Sequence, residues 1–247
     1  MQNYYEHYNR DAGTFDYLKA ALSPEAQVDR RRAQIICRTL DDRLKNSSSR
    51  IADIGAGGGA LLREMRRAYI HPIGVDIAPR NLRRISEAFR KKNITDVSFT
   101  AGDVYDLPFA SECLDAMIMS EVLEHLEQPE KALTEAARIL KPDAQLIVTV
   151  PYREKIVQHL CIHCNQLTPT NAHLHSMNQD KIRGFIRTLP LTIEGEILFH
   201  DKALTLLNIP GRLRRFPYSV WRTIDRIACL ITRKPHFYLV SMRKTRT

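Results

Sequence analysis

The sequence of 247 residues contains no long uninterrupted apolar run. No segment approaches the roughly 18 uncharged apolar residues that a transmembrane helix requires, so we expect no such helix. The first residues, MQNYYEHYNRDAG, are polar and aromatic and do not resemble a signal peptide. Five cysteines, an odd number in a chain of this length, argue against a disulfide scaffold and favour reduced thiols or a metal site. We therefore expect a cytoplasmic protein.

Acidic residues are nearly absent from positions 201–247. Two acids, Asp201 and Asp225, stand there against eleven lysines and arginines, which gives a net charge of +9. The whole chain also carries +9, so the charge of the remaining residues is balanced. A basic region of this kind indicates an anionic partner, such as a phosphate, a nucleic acid or a lipid surface.

Glycine is sparse overall, with ten residues, but it is concentrated in ADIGAGGGALL, Ala52 to Leu62. Four glycines occupy five consecutive positions there, at Gly55, Gly57, Gly58 and Gly59. Such a density weakens a helix or a strand and allows a ligand to approach the backbone closely. The loop joins a predicted buried strand to a predicted helix, which is typical of a cofactor cradle.

Two familiar nucleotide signatures are missing from this loop. No Lys-Ser or Lys-Thr pair follows the glycines, so a P-loop that binds nucleoside triphosphates is disfavoured. The spacing D-x-G-x-G-x-G also departs from the G-x-G-x-x-G of dinucleotide-binding dehydrogenases. The loop therefore favours another ligand that contains a nucleoside.

Predicted strands and helices alternate along the chain. The strands are predicted over 51–55, 72–78, 97–103, 113–120, 144–151, 192–199 and 236–244. The helices are predicted over 23–45, 60–69, 81–92, 129–142 and 178–189. This alternation indicates an α/β fold, with a parallel sheet that is covered by helices on both faces.

Two further acids are predicted at the carboxyl ends of neighbouring strands. Asp76 ends the second strand and Asp103 the third, while Asp53 lies directly before the glycines. Ligands of open parallel sheets bind at these strand ends, where a carboxylate can accept hydrogen bonds from both hydroxyls of a ribose. A carboxylate on the next strand can accept from an adenine amino group.

These motifs resemble those of class I S-adenosylmethionine-dependent methyltransferases, of the type 11 or ubiquinone-biosynthesis-like branch. ADIGAGGGALL resembles the first motif of that family, GVDIAP the second and AGDVYDLPF the third. SEVLEHLEQPEKALTEAARILKPDAQLIVTVP is similar to the stretch from strand four through strand five. The resemblance implies a doubly wound, Rossmann-like sheet of seven mostly parallel strands whose last strand is antiparallel. EGEILF and FYLVSM would form strands six and seven.

The resemblance implies S-adenosylmethionine as the cofactor and assigns its contacts by position. Asp53 and the glycine loop would bind the methionine part, and Asp76 would hold the ribose. Asp103 and Val104 would hold the adenine. The implied cofactor-binding residues are Asp53, Gly55, Ala56, Gly57, Gly59, Asp76, Ile77, Asp103, Val104, Ser120 and Glu121. Ala56 departs from the cysteine that many relatives carry, which changes little because alanine is also small.

We expect a single methyltransferase domain over 1–247. Its predicted parts are a helical and aromatic lead-in over 1–45, a cofactor-binding core over 50–151, an inserted loop over 152–177 and a C-terminal half with a basic helix over 178–247.

The motif EVLEH offers the catalytic candidates, Glu121 and His125. On one helical turn Glu121, Glu124 and His125 can converge, and E-x-x-E-H resembles a divalent-metal site of methyltransferases that modify the 3′ ends of small RNAs. It also resembles a pattern in ubiquinone-biosynthesis O-methyltransferases, where a metal would lower the pKa of the acceptor oxygen. The alternative is that Glu121 faces the cofactor while His125 packs nearby.

A second cluster of candidate ligands lies in the inserted loop, in CIHCNQLTPTNAHLH. Cys161 and Cys164 have C-x₂-C spacing and are followed by His173 and His175, which suits tetrahedral zinc. His163 is a rival fourth ligand. The alternative is a reduced loop with scattered histidines. A structural zinc would fix the loop over the active site.

The basic region contains a predicted amphipathic helix between Pro217 and Pro235. It could lie on a membrane as a peripheral contact, with its apolar side in lipid and its arginines on phosphates. The alternative is that it packs on the sheet between strands six and seven, with a solvated basic rim.

The leading interpretation is a methyltransferase acting on a small-molecule or lipid-like acceptor. Methylation of RNA with a divalent metal at Glu121, Glu124 and His125 is the second interpretation. It ranks lower because no aromatic RNA-binding module is visible. A non-catalytic protein that keeps the cofactor pocket as a scaffold is the third.

Overall fold

The computed structural model describes most of the chain beyond the aromatic lead-in. The described residues are 24–44, 49–67, 71–160, 165 and 167–246. The predicted zinc ligands Cys161 and Cys164 lie outside them.

The centre of the fold is a seven-stranded sheet. Its strands are β1 (Ile51–Ile54), β2 (Ile73–Asp76), β3 (Ser98–Ala101), β4 (Leu114–Ser120), β5 (Leu140–Pro151), β8 (Leu191–Asp201) and β9 (Pro235–Lys244). The order across the sheet is β3-β2-β1-β4-β5-β9-β8. The first five strands are parallel, whereas β9 runs antiparallel to both β5 and β8. The predicted sheet with an antiparallel last strand is confirmed.

The helices cover both faces of this sheet. They are α1 (Pro24–Thr39), α2 (Ala60–Met65), α3 (Pro79–Arg90), α4 (Pro129–Ile139), α5 (Gln179–Ile186), α6 (Lys202–Leu206), α7 (Ile209–Arg212) and α8 (Tyr218–Thr232). Short 3₁₀ turns span Asp42–Leu44, Leu123–His125 and Thr170–Ala172.

Alternation along β4 divides the core into two layers. Met117 and Met119 point into a cluster with Leu133 of α4, while Ala116 and Ile118 point into a cluster on the other face. Successive side chains of a strand face opposite sides of a sheet, so a central strand with two covered faces is apolar throughout. This explains the continuous apolar run in the sequence of β4.

The predicted end of α4 was wrong. The helix predicted over 129–142 ends at Ile139, and Leu140 already pairs with Leu114 in the sheet. Lys141 precedes Pro142, and a residue before proline is disfavoured in the helical conformation. The register of β5 shifts just beyond this point, so the proline lies at the irregular start of a strand.

The insertion over 152–177 contains a small hairpin of its own. Strands β6 (Gln158–Leu160) and β7 (Leu167–Pro169) pair antiparallel and form a separate two-stranded sheet. The end of the insertion returns to the main sheet, where Arg153 donates its backbone N–H to the carbonyl of Met177, at 2.8 Å. The insertion therefore begins and ends at the carboxyl end of β5.

Candidate functional site

The glycine loop adopts a conformation that other residues rarely accept. Gly55, Gly57 and Gly59 have φ angles of 75°, 50° and 68°, in the left-handed region. A Cβ at Gly55 would stand 2.7 Å from Val122 Cγ2, and a Cβ at Gly59 would stand 2.9 Å from Ile85 Cγ2. Packing therefore excludes a side chain at these two positions.

Gly57 differs from its neighbours in what surrounds it. The nearest atom to a Cβ placed there is the carbonyl oxygen of Gly55, at 3.7 Å, which is an ordinary contact. The backbone of Gly57 therefore faces open space at the carboxyl end of the sheet. This is the position at which a ligand can reach the loop.

Asp76 ties the glycine loop to the next strand. Its carboxylate accepts from the backbone N–H of Gly57 at 3.3 Å and of Ala78 at 2.9 Å. The side-chain amide of Asn81 donates to the same carboxylate at 2.7 Å and to the carbonyl of Gly57 at 3.0 Å. Burial raises the pKa of Asp76, and these hydrogen bonds oppose that rise. The half-buried Ile77 follows directly.

Asp53 lies deeper, in β1, and is almost fully buried. Burial raises its pKa to about 8, and the nearby carboxylate of Asp76 adds to the rise. The guanidinium of Arg32, which α1 brings to this edge of the sheet, acts in the opposite direction. Two acids and one arginine therefore share the space behind the loop.

Asp103 and Val104 form a tight turn after β3. The Asp103 carboxylate accepts from the backbone N–H of Tyr105 at 3.0 Å, and its carbonyl accepts from the N–H of Asp106 at 3.0 Å. Val104 is buried. This fixed turn stands beside Asp76, because β2 and β3 are parallel neighbours.

Ser120 and Glu121 stand at the end of β4 and form a chain of polar contacts with β5. Ser120 Oγ lies 2.9 Å from Thr149 Oγ1, which donates to Glu121 Oε1 at 3.1 Å. The other carboxylate oxygen of Glu121 lies 3.7 Å from Arg32. Glu121 has a φ of 58°, an uncommon conformation for glutamate that is found at functional sites.

Glu124 occupies an unusual environment. Its side chain is fully buried, and among the described residues neither carboxylate oxygen has a hydrogen-bond partner, while His125 Nε2 lies 3.9 Å from Oε1. Burial raises its pKa well above the ordinary value, and repulsion from Glu121 adds to the rise. A buried carboxyl group without partners is costly and calls for an explanation.

Two histidines adjoin Glu124. Three possible metal-ligand atoms, one each from Glu124, His125 and His173, lie within 4.8 Å of one another. The rings of His125 and His173 meet edge to face, with their centroids 4.7 Å apart. His125 Nδ1 lies 3.3 Å from the carbonyl of Ala172, and His173 Nδ1 is hydrogen-bonded to Glu154.

Backbone hydrogen bonds join the insertion to the EVLEH turn. Leu174 and His175 both donate their backbone N–H to the carbonyl of Glu124, at 2.7 and 3.3 Å. Both ring nitrogens of His175 are engaged, Nε2 with the carbonyl of Leu126 at 2.8 Å and Nδ1 with Lys181 Nζ at 3.2 Å. The predicted zinc set of Cys161, Cys164, His173 and His175 gains no support from its two described members, since these histidines have other partners.

Comparison with known proteins bears on this geometry. Residues 52–148, which carry the glycine loop and the acids at the strand ends, match the methyltransferase domain model. Over these residues the chain is similar to the methyltransferase domain family. The match ends within β5, so it covers the cofactor side of the site and stops before the insertion.

Curated relatives are also similar to this chain. The chain is 33% identical over 142 residues to a demethylmenaquinone methyltransferase of Tropheryma whipplei, which covers 57% of this chain and 56% of the relative. It thus spans about half the length of that relative. It is 25% identical over 191 residues to a ubiquinone biosynthesis O-methyltransferase of Xanthomonas oryzae, which covers 75% of this chain and 73% of the relative.

Solved structures share the fold at low identity. The crystal structure of the [4+2]-cyclase SpnF superposes with a TM-score of 0.64 at 16% identity, covering 88% of this chain and 81% of that one. Because that protein is named a cyclase, the shared architecture does not by itself specify the reaction.

The structure places the predicted cofactor residues at one edge of the sheet. The potential ligand atoms that cluster are those of Glu124, His125 and His173. Glu121 turns to Arg32 and Thr149, and His173 takes its place beside Glu124 and His125.

Two residues of the site escaped the sequence reasoning. Asn81 lies five positions after Asp76 in a helix, and Arg32 comes from a helix distant in sequence. A third, His173, was predicted to join Cys161 and Cys164, and among the described residues it lies beside Glu124 and His125. No local pattern marks any of the three, since each role depends on tertiary contacts.

Proposed function

We propose that the chain is an S-adenosylmethionine-dependent methyltransferase of one domain that acts on a quinone-like small-molecule acceptor. The observation that carries the proposal is the open backbone of Gly57 next to the Asp76 carboxylate, at the carboxyl end of the sheet. The match over 52–148 supports the reaction class. The names of the two curated relatives support a quinone-like acceptor.

Each predicted contact residue has a role that its surroundings favour. Asp76 would accept hydrogen bonds from the ribose hydroxyls, and Asn81 would hold that carboxylate in place. The turn at Asp103 and Val104 would receive the adenine, with a backbone N–H and an apolar side chain beside it. Asp53 and Glu121 would face the charged methionine part, since carboxylates favour a nearby ammonium or sulfonium.

S-adenosylmethionine, when bound, supplies an electrophilic methyl group. The chain contributes position and a water-poor wall, because holding two reactants in line accounts for a large part of such a rate. The insertion closes the acceptor side, since it is clipped to Glu124 by two backbone hydrogen bonds. A hydroxyl acceptor must also lose a proton, for which Glu121 is a candidate base, as is His125 if it holds no cation.

We further propose that Glu124, His125 and His173 hold a divalent cation. A cation would satisfy the buried Glu124 carboxylate, to which the described residues donate no hydrogen bond. Histidines that bind a metal usually engage a carbonyl or carboxylate through the second ring nitrogen, and both histidines here do so. Two imidazoles and a carboxylate suit zinc, manganese or cobalt. The bound cation would lower the pKa of an acceptor hydroxyl.

Methyl transfer is tested directly with labelled cofactor. The purified chain is incubated with S-adenosylmethionine carrying a tritiated methyl group and with a hydroxylated benzoquinol or naphthoquinol. We expect label in the quinol with the wild type and with Asp180→Ala, an exposed control. Asp76→Ala should lose it. Labelled product formed equally by Asp76→Ala would contradict the cofactor assignment, and no product with any quinol would contradict the acceptor class.

The cation is tested by a measurement that does not require turnover. Isothermal titration with Mn²⁺ or Zn²⁺ should show one site in the wild type and in Glu127→Gln, whose side chain is exposed three positions away. Glu124→Gln should lose that site while its thermal unfolding stays cooperative. A wild type that binds neither ion, or a Glu124→Gln variant that binds as well, would refute the cation and leave methyl transfer standing.

A further inference from the structure

The segment between β8 and β9 forms an exposed helical surface. It consists of α6, α7 and α8, over residues 202–234, which we call the C-terminal helical surface. The end of α8 meets the start of α6, because Thr232 donates to Asp201 and Lys202 donates its backbone N–H to the carbonyl of Lys234 at 3.1 Å. The start and the end of this segment are therefore joined by hydrogen bonds.

Helix α8 has two apolar sides, and only one of them is buried against the sheet. Trp221 is fully buried and packs against the sheet, and Asp225 is buried beside it. On another side, Val220, Ile227 and Ile231 follow helical spacing, and Ile227 and Ile231 are 52% and 76% exposed. A helix that needed only to cover the sheet would be polar on that side.

Further large apolar side chains of the same segment are exposed. Leu206 is 87% exposed and Leu230 is 74% exposed, and Phe216 is also exposed. Together with Ile227 and Ile231 they lie within a single segment of the chain. Exposed apolar residues scattered singly are normal, but a concentration of them marks an interaction site.

The charge around these side chains is of one sign. Residues 201–234 contain two acids, Asp201 and Asp225. Both are fully buried and hydrogen-bonded. The cations that accompany the apolar residues are Arg212, Arg214, Arg215, Arg226, Arg233 and Lys234. Three of them, together with Asn208 and Gly211, line a depression of about 430 Å³ on the surface. Positive charge around exposed apolar residues complements a surface that is anionic and apolar at once.

The C-terminal helical surface adjoins the candidate site. It begins at the end of β8, which runs parallel to β5, and so lies at the carboxyl edge of the sheet. Helix α1 joins the two regions: Arg31 donates to the carbonyl of Leu213 at 2.7 Å, and Arg32 lies near Glu121. An acceptor dissolved in a membrane would therefore be close to the site.

We propose that the C-terminal helical surface binds the face of a bilayer that contains anionic phospholipids. The exposed aliphatic side chains enter the interface, while the arginines contact the phosphates. Among the described residues, no helix combines the length and apolar character needed to cross a bilayer. A nucleic acid would match the arginines but leave the aliphatic residues exposed to water, so lipid fits both features. The binding needs neither cofactor nor acceptor and is independent of the proposed reaction.

Vesicle sedimentation of the full chain tests the proposal. Vesicles of phosphatidylcholine with phosphatidylglycerol should bind the protein, and vesicles of phosphatidylcholine alone should bind it weakly. Arg226→Glu changes the net charge of the surface by two, and we expect the affinity for anionic vesicles to fall about 30-fold. The matched control Arg90→Glu alters an exposed arginine at the end of α3 and should bind normally. The double variant Ile227→Asp/Ile231→Asp should also lose binding.

Folding of each variant is checked by the emission of Trp221, the single tryptophan, which is buried beneath α8. Anionic vesicles that bind neither the wild type nor the control would overturn the proposal, as would equal binding of Arg226→Glu. RNA binding that the double variant leaves unchanged would assign the surface to nucleic acid instead. A dimer in solution that dissociates in the double variant would assign it to a second copy of the chain.

Discussion

Replacing Gly57 with alanine separates the role of the loop in folding from its role in binding. The substitution places a methyl group 3.7 Å from the nearest atom, so no clash arises within the protein. The remaining cost is the left-handed conformation, with φ at 50°, which costs an alanine about 1–2 kcal/mol. In a chain of this size that corresponds to a decrease of roughly 2–8 °C in the melting temperature.

The same methyl group would stand where we expect the cofactor to contact the loop. Forcing an extra methyl group into a packed contact costs about 1–3 kcal/mol, which is a roughly 5- to 150-fold loss of affinity. Isothermal titration with S-adenosylmethionine and with S-adenosylhomocysteine measures this loss, and thermal unfolding measures the stability. Gly195→Ala serves as the control, because nothing lies within 4 Å of a Cβ at that position.

In Gly59→Ala, by contrast, we expect the new methyl group to clash with the protein core. Its Cβ would lie 2.9 Å from Ile85 and 3.1 Å from Phe89 in the core, so stability should fall further than in Gly57→Ala. The reasoning would be refuted if Gly57→Ala bound the cofactor as tightly as the wild type. It would also be refuted if the two variants lost stability equally.

Two other substitutions test the account. Gly184 lies in α5 without a positive φ, and no described atom lies within 4 Å of a Cβ placed there. Gly184→Ala should therefore raise the free energy of unfolding by about 0.5–1 kcal/mol, as measured by urea denaturation. A decrease would contradict this helix assignment. Asp53 has a folded pKa of about 8, above its unfolded value, so its stabilising contribution is complete at low pH and is lost as pH rises towards 8. The free energy of unfolding of Asp53→Asn should therefore fall less between pH 5 and 8 than that of the wild type. If both proteins lost the same amount over this range, Asp53 would be ionised already at lower pH.

Much of the fold follows from local features of the sequence. The apolar strand β4 between helices predicted a covered parallel sheet, and the glycines after β1 predicted the loop conformation that Gly55, Gly57 and Gly59 adopt. Such features depend on neighbours along the chain, which sequence patterns report well. The end of α4 was placed three residues too late, because sheet pairing at Leu140 outweighed helix propensity before Pro142.

The acceptor side of the site depends on contacts that no local pattern records. His173 reaches Glu124 and His125 only because the insertion folds back onto the EVLEH turn through the backbone of Leu174 and His175. Sequence spacing placed His173 with Cys161 and Cys164, because spacing alone does not report this tertiary contact. Asn81 is similar: an ordinary asparagine in a helix becomes the clamp between Gly57 and Asp76.

The most direct test of the central claim is calorimetric titration of S-adenosylmethionine into three proteins. We predict one binding site in the wild type, the same affinity in Asp180→Ala, and strongly weakened binding in Asp76→Ala while the buried Trp221 still reports a folded chain. A wild type that does not bind the cofactor, or an Asp76→Ala variant that binds it with unchanged affinity, would contradict the assignment of this strand edge as the cofactor site.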